Sequence, residues 1–469
     1  MSLLSKLNNK SASSEFIFNL CSTFIQSGLV FLTMPIFTRL LGPEQFGKFA
    51  IFNSWMLIIL CVACLKTHVT LGNAKYRFNE KYSEYRPTVF LLGLFINALM
   101  FLIAIIFLNT IANLLGFSEL LVILLMINLV SHSVVECANN IYIYEKKASI
   151  NFLIALFLAF STVGLSLIFL TKDVFAEKYL SRVYGITIPY VIIAIPLAIV
   201  ILKSGKIKYD KEFLKYSLIL GVPIVIHSLS QNILGQADRI MLEDITGSGI
   251  DVGIYSFIHT YTSITSVIMS ALNISWCPFY YDDLKSENWE YLKKKSQNYV
   301  ELFTLILCGF LLLSREVMYL MADAAYFSGA VLIPVFVWVT FFIFIYLFAV
   351  NFEFYHRKSH FVAIATVVAG VTNIVLNYIF IPLKGMMGAA IATLIAYMVM
   401  CAMHYVFAHK IKEMIFPTKL RSFANAAGIL LIATASFYVL KDFIIFRWIL
   451  AFMIGGYELR KIIKRRAIF

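Results

Sequence analysis

Charged residues are scarce in this sequence: Asp, Glu, Lys and Arg make up 14% of its 469 residues, whereas hydrophobic residues make up 61%. The mean hydropathy is +0.84. A soluble domain must cover its surface with polar groups and is far less apolar than this. The composition therefore excludes a soluble protein and predicts an integral membrane protein.

Motifs for metal binding, disulfide bonding and catalysis are also missing. The seven cysteines all lie in or at the ends of apolar runs. Cys61 and Cys64 have CxxC spacing, but no second pair or nearby histidine cluster completes a metal site. No Ser/His/Asp grouping occurs either. We therefore predict that the protein has no metal site, no disulfide framework and no cofactor, and that it is not an enzyme.

Long apolar runs are abundant instead. About 20 apolar residues are enough for a helix to cross the hydrocarbon core of a membrane. Fourteen runs of about this length are predicted to span the membrane, at 15–36, 46–65, 88–108, 118–142, 150–170, 183–202, 213–237, 252–276, 298–314, 329–352, 361–381, 386–408, 422–440 and 443–458. The count would be twelve if 422–458 were peripheral. The predicted fold class is an all-α polytopic membrane protein with about 14 transmembrane helices.

The distribution of basic residues predicts the topology. Most of the 39 Lys and Arg residues fall in alternate loops, which the positive-inside rule places in the cytoplasm together with both termini. The charged loop that begins with Lys66 and includes His68 is one of these, and its basic residues could reach lipid phosphates. Basic loops that face anionic headgroups also explain the net charge of +13 without nucleic acid. The first apolar run is full length and lacks a small-residue cleavage site, so it is expected to stay in the mature protein.

A polar stripe lies inside the fourth predicted span. Asn128, His132, Glu136 and Asn140 follow one another at intervals of four residues, which places them along one side of a helix. A carboxylate inside the bilayer is costly unless it is paired or hydrated, and His132 is one turn away from Glu136. Two interpretations stay open: a functional pair that takes part in ion coupling, or a structural pair that joins helices.

Other spans carry candidate contacts for a polar substrate. Gln26 lies in the first span, His227 and Gln231 in the seventh, and His259 and Asn273 in the eighth. Small hydroxyl residues fill the rest of the eighth-span stripe, and these alone favour close helix packing. In that stripe, His259 and Asn273 are therefore what favours a water-filled cavity.

One short stretch predicts how the first two spans are joined. Residues 35–55, PIFTRLLGPEQFGKFAIFNSW, carry Arg39 where the first run ends and Gly42-Pro43 before the next run. Because Pro43 cannot continue a helix and Gly42 can adopt positive φ, the stretch predicts a helix, a tight turn and a second helix.

A related pattern indicates an internal repeat. Arg39 and Arg239 are 200 residues apart, and the tetrapeptides YEKK and YHRK at 144–147 and 355–358 are 211 apart. Both members of each pair lie on the same side of the predicted membrane, which indicates a parallel repeat about an axis along the membrane normal. We predict two six-helix bundles around a central cavity. The predicted domains are an N-terminal bundle at 1–202, a cytoplasmic linker at 203–212, a C-terminal bundle at 213–409, and two added transmembrane helices with a basic cytoplasmic tail at 410–469.

Three segments resemble a known family: residues 35–55, NIYIYEKKASINF at 140–152 and IPLKGMMGAAIATLIAY at 381–397. They are similar to the Wzx-type O-antigen flippases, the polysaccharide repeat-unit exporters of the multidrug/oligosaccharidyl-lipid/polysaccharide transporter superfamily. The resemblance covers spans one to twelve. It implies alternating access that moves an undecaprenyl-pyrophosphate-linked oligosaccharide from the cytoplasmic to the periplasmic leaflet of a bacterial inner membrane. It also implies a polysaccharide polymerase and a chain-length regulator as partners, and it leaves open whether a proton or a sodium gradient drives transport.

The chemistry of such a cargo assigns roles to the candidate residues. A pyrophosphate in hydrocarbon needs positive charge or hydrogen-bond donors, which Arg39, Arg239, His227 and His259 could supply. The sugar would contact amides, which makes Gln26, Gln231 and Asn273 candidates for substrate binding. The alternative for the two arginines is that they lie at helix ends and only snorkel to the membrane surface.

Two other classes of function are the alternatives. A cation-coupled drug or metabolite antiporter of the same superfamily would rest on a carboxylate inside a bundle, and Glu136 is the acidic residue predicted deep within a span. A membrane glycan polymerase or acyltransferase would present a large outer loop, whereas the predicted outer segments near 237–252 and 315–328 are short. The antiporter is therefore the stronger alternative.

Overall fold

The computed structural model describes residues 2–411 and 420–465. Within these ranges the chain is built from α-helices, short connections and three 3-10 segments, without a β-strand. The helices are α1 (Ser2–Leu60), α2 (Leu71–Phe78), α3 (Tyr82–Ile106), α4 (Leu108–Leu115), α5 (Glu119–Tyr144), α6 (Ala148–Thr171), α7 (Tyr179–Leu202), α8 (Lys211–Thr246), α9 (Gly249–Lys285), α10 (Trp289–Met321), α11 (Ile333–Tyr355), α12 (Ser359–Ile411), α13 (Leu420–Val439) and α14 (Ile444–Arg465).

Two of these helices, α1 and α12, each consist of two segments joined at a glycine. Gly42 has φ 68° and Gly385 has φ 53°, in the left-handed region that glycine adopts without steric cost. An unbroken helix of 59 residues would be far longer than the hydrocarbon core is thick, so the break at Gly42 separates two segments of membrane-spanning length. The helix, turn and helix predicted for residues 35–55 are confirmed.

Eight helical segments of the described ranges are long and apolar enough to cross a membrane. Among them are α5, α6 and α7, while the apolar part of α14, Ile444–Tyr457, is shorter. The predicted class, an all-α polytopic membrane protein, is confirmed. The count of fourteen crossings and the cytoplasmic position of both termini stay predictions.

The chain divides into two compact units, Met1–Ile240 and Met241–Phe469, and the division falls inside α8. In unit 1, the helix α1 packs on α6 and α7, while α5 packs on α3 and α7. The first part of α8 joins this unit through Phe213, whose ring lies edge-on to those of Phe78 and Tyr85. The predicted bundle bounds, with a linker at 203–212, stay a prediction.

In unit 2, the helix α11 packs on α9 and α12, and α10 packs on α13 and α14. Arg447 of α14 is 1% exposed, forms an ion pair with Glu316 of α10, and donates to the Leu312 carbonyl at 3.5 Å. Trp338 Nε1 of α11 donates to Thr434 Oγ1 of α13 at 3.1 Å. The two C-terminal helices are therefore part of the packed structure of unit 2.

Candidate functional site

The connection between α1 and α2 is an irregular turn inside unit 1. Its residues Cys64, Leu65 and Lys66 have positive φ values of 55°, 45° and 51°. Residues other than glycine rarely adopt this backbone conformation. The Asn97 side chain holds the turn, because its Oδ1 accepts the Cys64 N–H at 3.0 Å and its Nδ2 donates to Ser133 Oγ at 2.6 Å. Strained backbone of this kind persists only where its surroundings determine it, and it clusters at functional sites.

This turn brings Lys66 and His68 to the carboxylate of Glu136. Glu136 Oε2 lies 3.3 Å from Lys66 Nζ and 3.3 Å from His68 Nε2. The side chains of Lys66 and His68 are 12% and 6% exposed, whereas that of Glu136 is 36% exposed. The three residues, named here the Glu136 cluster, therefore form a mostly buried ion pair with a histidine, and the carboxylate is its most exposed member.

The cluster corrects two expectations from the sequence. Glu136 pairs with Lys66 and His68 rather than with His132, and these two basic residues face the protein interior rather than lipid phosphates. His132 instead stacks on Tyr190, with ring centroids 3.6 Å apart, and its buried Nε2 has no hydrogen-bond partner in the described structure. Spacing along one helix could not reveal a partner 70 residues away in the chain.

The two arginines of the predicted repeat have different surroundings. Arg239 is 6% exposed, and its Nη1 donates to Gln236 Oε1 at 2.6 Å and to the Gly235 carbonyl at 2.8 Å. Gln236 Oε1 also accepts from Ser54 Oγ of α1 at 3.1 Å. Arg39 is exposed, and its Nη1 donates to the Pro35 carbonyl at 3.5 Å. Snorkelling therefore fits Arg39 but does not fit the buried Arg239.

A further arginine, Arg182 of α7, was missed because it lies just before the predicted sixth span. Its guanidinium carbon is 3.9 Å from the centre of the Phe37 ring and 5.0 Å from that of Phe49. Such cation–π contacts hold the charge without neutralising it. In the described part of the chain, no carboxylate lies within ion-pair distance of Arg182. Aromatic rings, rather than a carboxylate, therefore hold its positive charge in this part of the chain.

The remaining predicted contacts lie in both units. In unit 1, His227 and Gln231 of α8 are half-buried, and the buried Nδ1 of His227 has no hydrogen-bond partner in the described structure. In unit 2, Asn273 Oδ1 accepts from Asn351 Nδ2 at 3.0 Å, and His259 lies edge-on to Phe336. The side chain of Gln26 lies outside the part that the structure describes.

Unit 2 contains a second buried acid and base that the sequence did not reveal. Glu353 and His404 are both fully buried, and His404 Nδ1 lies 3.1 Å from Glu353 Oε1 and 3.0 Å from Oε2. Glu353 was assigned to a loop because the predicted span ended at residue 352, whereas α11 continues to Tyr355. Glu136 is thus not alone as an acidic residue inside the helical core.

A polar clamp in unit 1 joins α1 to the connection between α6 and α7. Glu177 Oε2 accepts from Gln45 Nε2 and from Lys48 Nζ, both at 3.0 Å. Gln45 Oε1 in turn accepts the Tyr179 N–H at 3.0 Å. The hydrogen bonds from Gln45 and Lys48 hold the pKa of the Glu177 carboxyl below its ordinary value.

Comparisons with known proteins give the chain its relatives. A family model described as polysaccharide biosynthesis protein matches residues 13–280. The Lsg locus putative protein 1 of Haemophilus influenzae is 22% identical over 269 residues, or 55% of this chain and 63% of that protein, so the match spans less than two thirds of the relative's length.

Solved structures share the fold at low sequence identity. The lipid II flippase MurJ in an inward closed conformation has a TM-score of 0.71 and 16% identity, covering 96% of this chain and 99% of that chain. An inward-facing multidrug resistance MATE family transporter of the MOP superfamily has a TM-score of 0.66 and 16% identity, covering 84% of this chain and 98% of that chain. The chain therefore shares the fold of these two solved structures.

Proposed function

Because this chain belongs to the polysaccharide biosynthesis protein family and has a transporter fold, we propose that it flips an undecaprenyl-pyrophosphate-linked oligosaccharide across a membrane. The cargo would be a repeat unit of O-antigen or a related surface polysaccharide. It would move from the cytoplasmic to the periplasmic leaflet of a bacterial inner membrane by alternating access. A polymerase and a chain-length regulator would then use the unit.

The observation that carries this proposal is the family match over residues 13–280. This range includes three cations enclosed in unit 1: the buried Arg239 and the partly buried Lys66 and Arg182. Buried cations are costly in a membrane protein and mark the paths of ligands or ions. A cargo with a pyrophosphate group gives them a function, since guanidinium groups bind phosphate oxygens through paired hydrogen bonds.

Three of the arginines of unit 1, Arg39, Arg182 and Arg239, would then act on the pyrophosphate in different ways. Arg182 carries an unneutralised charge held between two aromatic rings, and Arg39 is exposed two residues after Phe37, one of those rings. Arg239 is already bonded to Gln236, so cargo phosphate would have to replace that contact. We therefore propose Arg39 and Arg182 as the first phosphate contacts and Arg239 as a later one.

The other predicted contacts remain proposals for the sugar and for ion coupling. His227, whose buried Nδ1 has no partner in the described structure, and Gln231 would contact the cargo from α8. Gln26, whose side chain lies outside the described part, stays a proposed contact as well. His259 and Asn273 of unit 2 are separate proposals for sugar contacts, and Asn273 must first release Asn351. His132 and Glu136 stay candidates for coupling to a proton or sodium gradient. For Glu136 the coupling would act through Lys66, whose charge it neutralises.

The test replaces both predicted arginines by glutamine, Arg39→Gln and Arg239→Gln, in cells whose own copy is deleted. We expect lipid-linked units to accumulate where an outer-leaflet glycan-processing enzyme cannot reach them, with protein abundance unchanged. The matched control is Arg77→Gln, an exposed arginine on α2 that pairs with Glu212 at 3.3 Å. Normal surface polysaccharide in the double variant would remove these arginines from the mechanism, and normal polysaccharide in the deletion strain would reject this cargo.

A cation-coupled antiporter for drugs or metabolites is the second candidate function. Its support is the shared fold with MATE transporters and the partly exposed carboxylate of Glu136. This function predicts that Glu136→Gln abolishes the transport of a soluble organic cation and leaves polysaccharide unchanged. A flippase predicts the reverse, since a loss of coupling would reduce surface polysaccharide and leave drug resistance as it was.

A further inference from the structure

Glu353 and His404 lie where α11 meets the second segment of α12. Both are fully buried, and the imidazole Nδ1 is within hydrogen-bond distance of both carboxylate oxygens. Tyr346 stacks on the histidine ring, with centroids 5.2 Å apart. The other ring nitrogen, Nε2, is buried and has no hydrogen-bond partner in the described part of the chain.

Burial dictates how many protons the pair holds in this conformation. With one proton shared between carboxylate and imidazole, the pair is neutral overall. Without a proton it would be a buried anion, and with two it would be a buried cation, and either is costly in a medium of low dielectric. The pair therefore holds one proton while it stays enclosed.

In the described part of the chain, Glu353 and His404 form an ion pair with each other and with no third charged group. Titratable side chains near the pair include Tyr346 on α11, Tyr397, Cys401 and Tyr405 on α12, and Tyr280 on α9. The charged groups His356, Arg357 and Lys358 follow the end of α11, and the exposed His409 and Lys410 end α12. The tyrosines and the cysteine are neutral near pH 7. Arg357 and Lys358 are exposed. His356 is half-buried against Phe352 and Tyr355, so the test must distinguish it from His404.

A second acid in the same unit, Glu316, is partly buried and forms a pair of a different kind. Glu316 is paired with Arg447, which never gives up its proton and also bonds two backbone carbonyls. Glu353 is paired with a histidine, which does exchange its proton near neutral pH. The pair is a poor site for a metal ion, because one carboxylate and one imidazole supply too few ligand atoms.

We propose that Glu353 and His404 together form a proton-binding site, loaded in the conformation described here and emptied when α11 and the second segment of α12 separate. On separation, water would reach His404 Nε2 and the proton would leave to solvent. Binding from one side of the membrane and release to the other would couple cargo movement to a proton gradient. That coupling rests on the proposed transport function, whereas proton binding does not.

Proton binding is measured first, on the purified full-length protein in lipid nanodiscs without cargo. A pH titration between about pH 5 and pH 9, the range in which histidines exchange protons, counts the protons released per molecule. Rising pH should draw the wild-type site from the enclosed, loaded state into the open, emptied one, which releases one proton. We expect Glu353→Gln and His404→Gln each to release one proton fewer, because the buried histidine or carboxyl left alone in each variant stays neutral throughout. Two control variants, Glu316→Gln and His356→Gln, test whether the loss is specific. Glu316→Gln should release as many protons per molecule as the wild type. His356→Gln should lack only the proton of His356 and should still release the proton of the Glu353 and His404 pair.

Infrared difference spectra across the same pH range are recorded on the wild type, without any substitution. They therefore test the site even if a variant fails to fold. They should show a carboxyl band and an imidazole band that change together. Unchanged bands, or proton counts in the Glu353 and His404 variants equal to the wild type, would overturn the site.

Coupling is then measured in membrane vesicles with an imposed pH gradient. The wild type should move cargo faster with the gradient, and Glu353→Gln should move it at one rate with or without the gradient. If the wild type moves no lipid-linked cargo, the proposed function fails while the proton count still decides on the site. A Glu353→Gln variant that responds to the gradient like the wild type would show that coupling lies elsewhere.

Discussion

Glu136→Gln and Lys66→Met test the Glu136 cluster as an energetic unit. At 3.3 Å and an effective dielectric constant of about 20, two unit charges attract each other by about 5 kcal/mol. Burying Lys66 offsets much of this, and solvent screens the 36% exposed carboxylate. We therefore expect a net coupling between the two side chains of about 1–2 kcal/mol.

The assay is a double-mutant cycle on the free energy of unfolding of the purified protein, with the two single variants and the double variant. Glu136→Gln should destabilise more than Lys66→Met, because it leaves the more buried partner charged and unpaired. The matched control is the cycle for Arg77 and Glu212, which are also 3.3 Å apart but are 54% and 61% exposed. Its coupling should be at most about 1 kcal/mol.

Additive effects of Glu136→Gln and Lys66→Met, within about 0.3–0.5 kcal/mol, would refute the reasoning. So would equal couplings in the buried pair and the exposed pair. Either result would mean that burial does not strengthen this ion pair. It would also mean that contacts other than the ion pair hold the strained backbone at Lys66.

Two further predictions concern unit 1. A Cβ at Gly221 would lie 2.5 Å from the carbonyl oxygen of Leu65, so Gly221→Ala should lower the unfolding temperature and impair transport. Gly235→Ala on the same helix meets nothing within 4 Å and should be neutral or raise stability by up to about 1 kcal/mol. The hydrogen bonds from Gln45 and Lys48 lower the pKa of Glu177. The stabilisation from this clamp is therefore fully present above the ordinary carboxyl pKa and is lost as pH falls through the lowered pKa. In the wild type, the distance between spin labels on α1 and on the 172–178 connection should lengthen only in that acidic range. In Glu177→Gln, which lacks the carboxylate, the distance should be long at every pH.

Composition and local signals predicted much of the fold. An apolar content of 61% is enough to identify a membrane protein, and the Gly42-Pro43 pair marked the break in α1 because glycine tolerates the required φ. The resemblance of residues 35–55, 140–152 and 381–397 to a flippase family also pointed to the family that the comparisons identified. Each of these signals is read from the composition or from one short stretch of the chain, so it needs no knowledge of which distant residues come into contact.

The side-chain pairs could not be predicted in the same way. Lys66 and Glu136 are 70 residues apart, and Glu353 and His404 are 51 apart, so helical spacing carries no information about either contact. The expectation that Glu136 pairs with His132 was wrong for this reason, since it considered only neighbours on one helix. The turn at Cys64 and Lys66 was hidden as well, because neither residue type announces a positive φ. The roles of the proposed cargo contacts stay predictions.

The buried arginine of α14 has a consequence for how the protein is made. Arg447 lies in the short apolar stretch Ile444–Tyr457, where an arginine facing lipid would oppose insertion by up to about 2.5–3.5 kcal/mol. The carboxylate of Glu316, synthesised 131 residues earlier, offsets that cost once α10 is in place. We expect the last helix to enter the membrane by docking on α10 rather than alone. A chain truncated before residue 420 would leave Glu316 uncompensated and become a substrate for quality-control proteases.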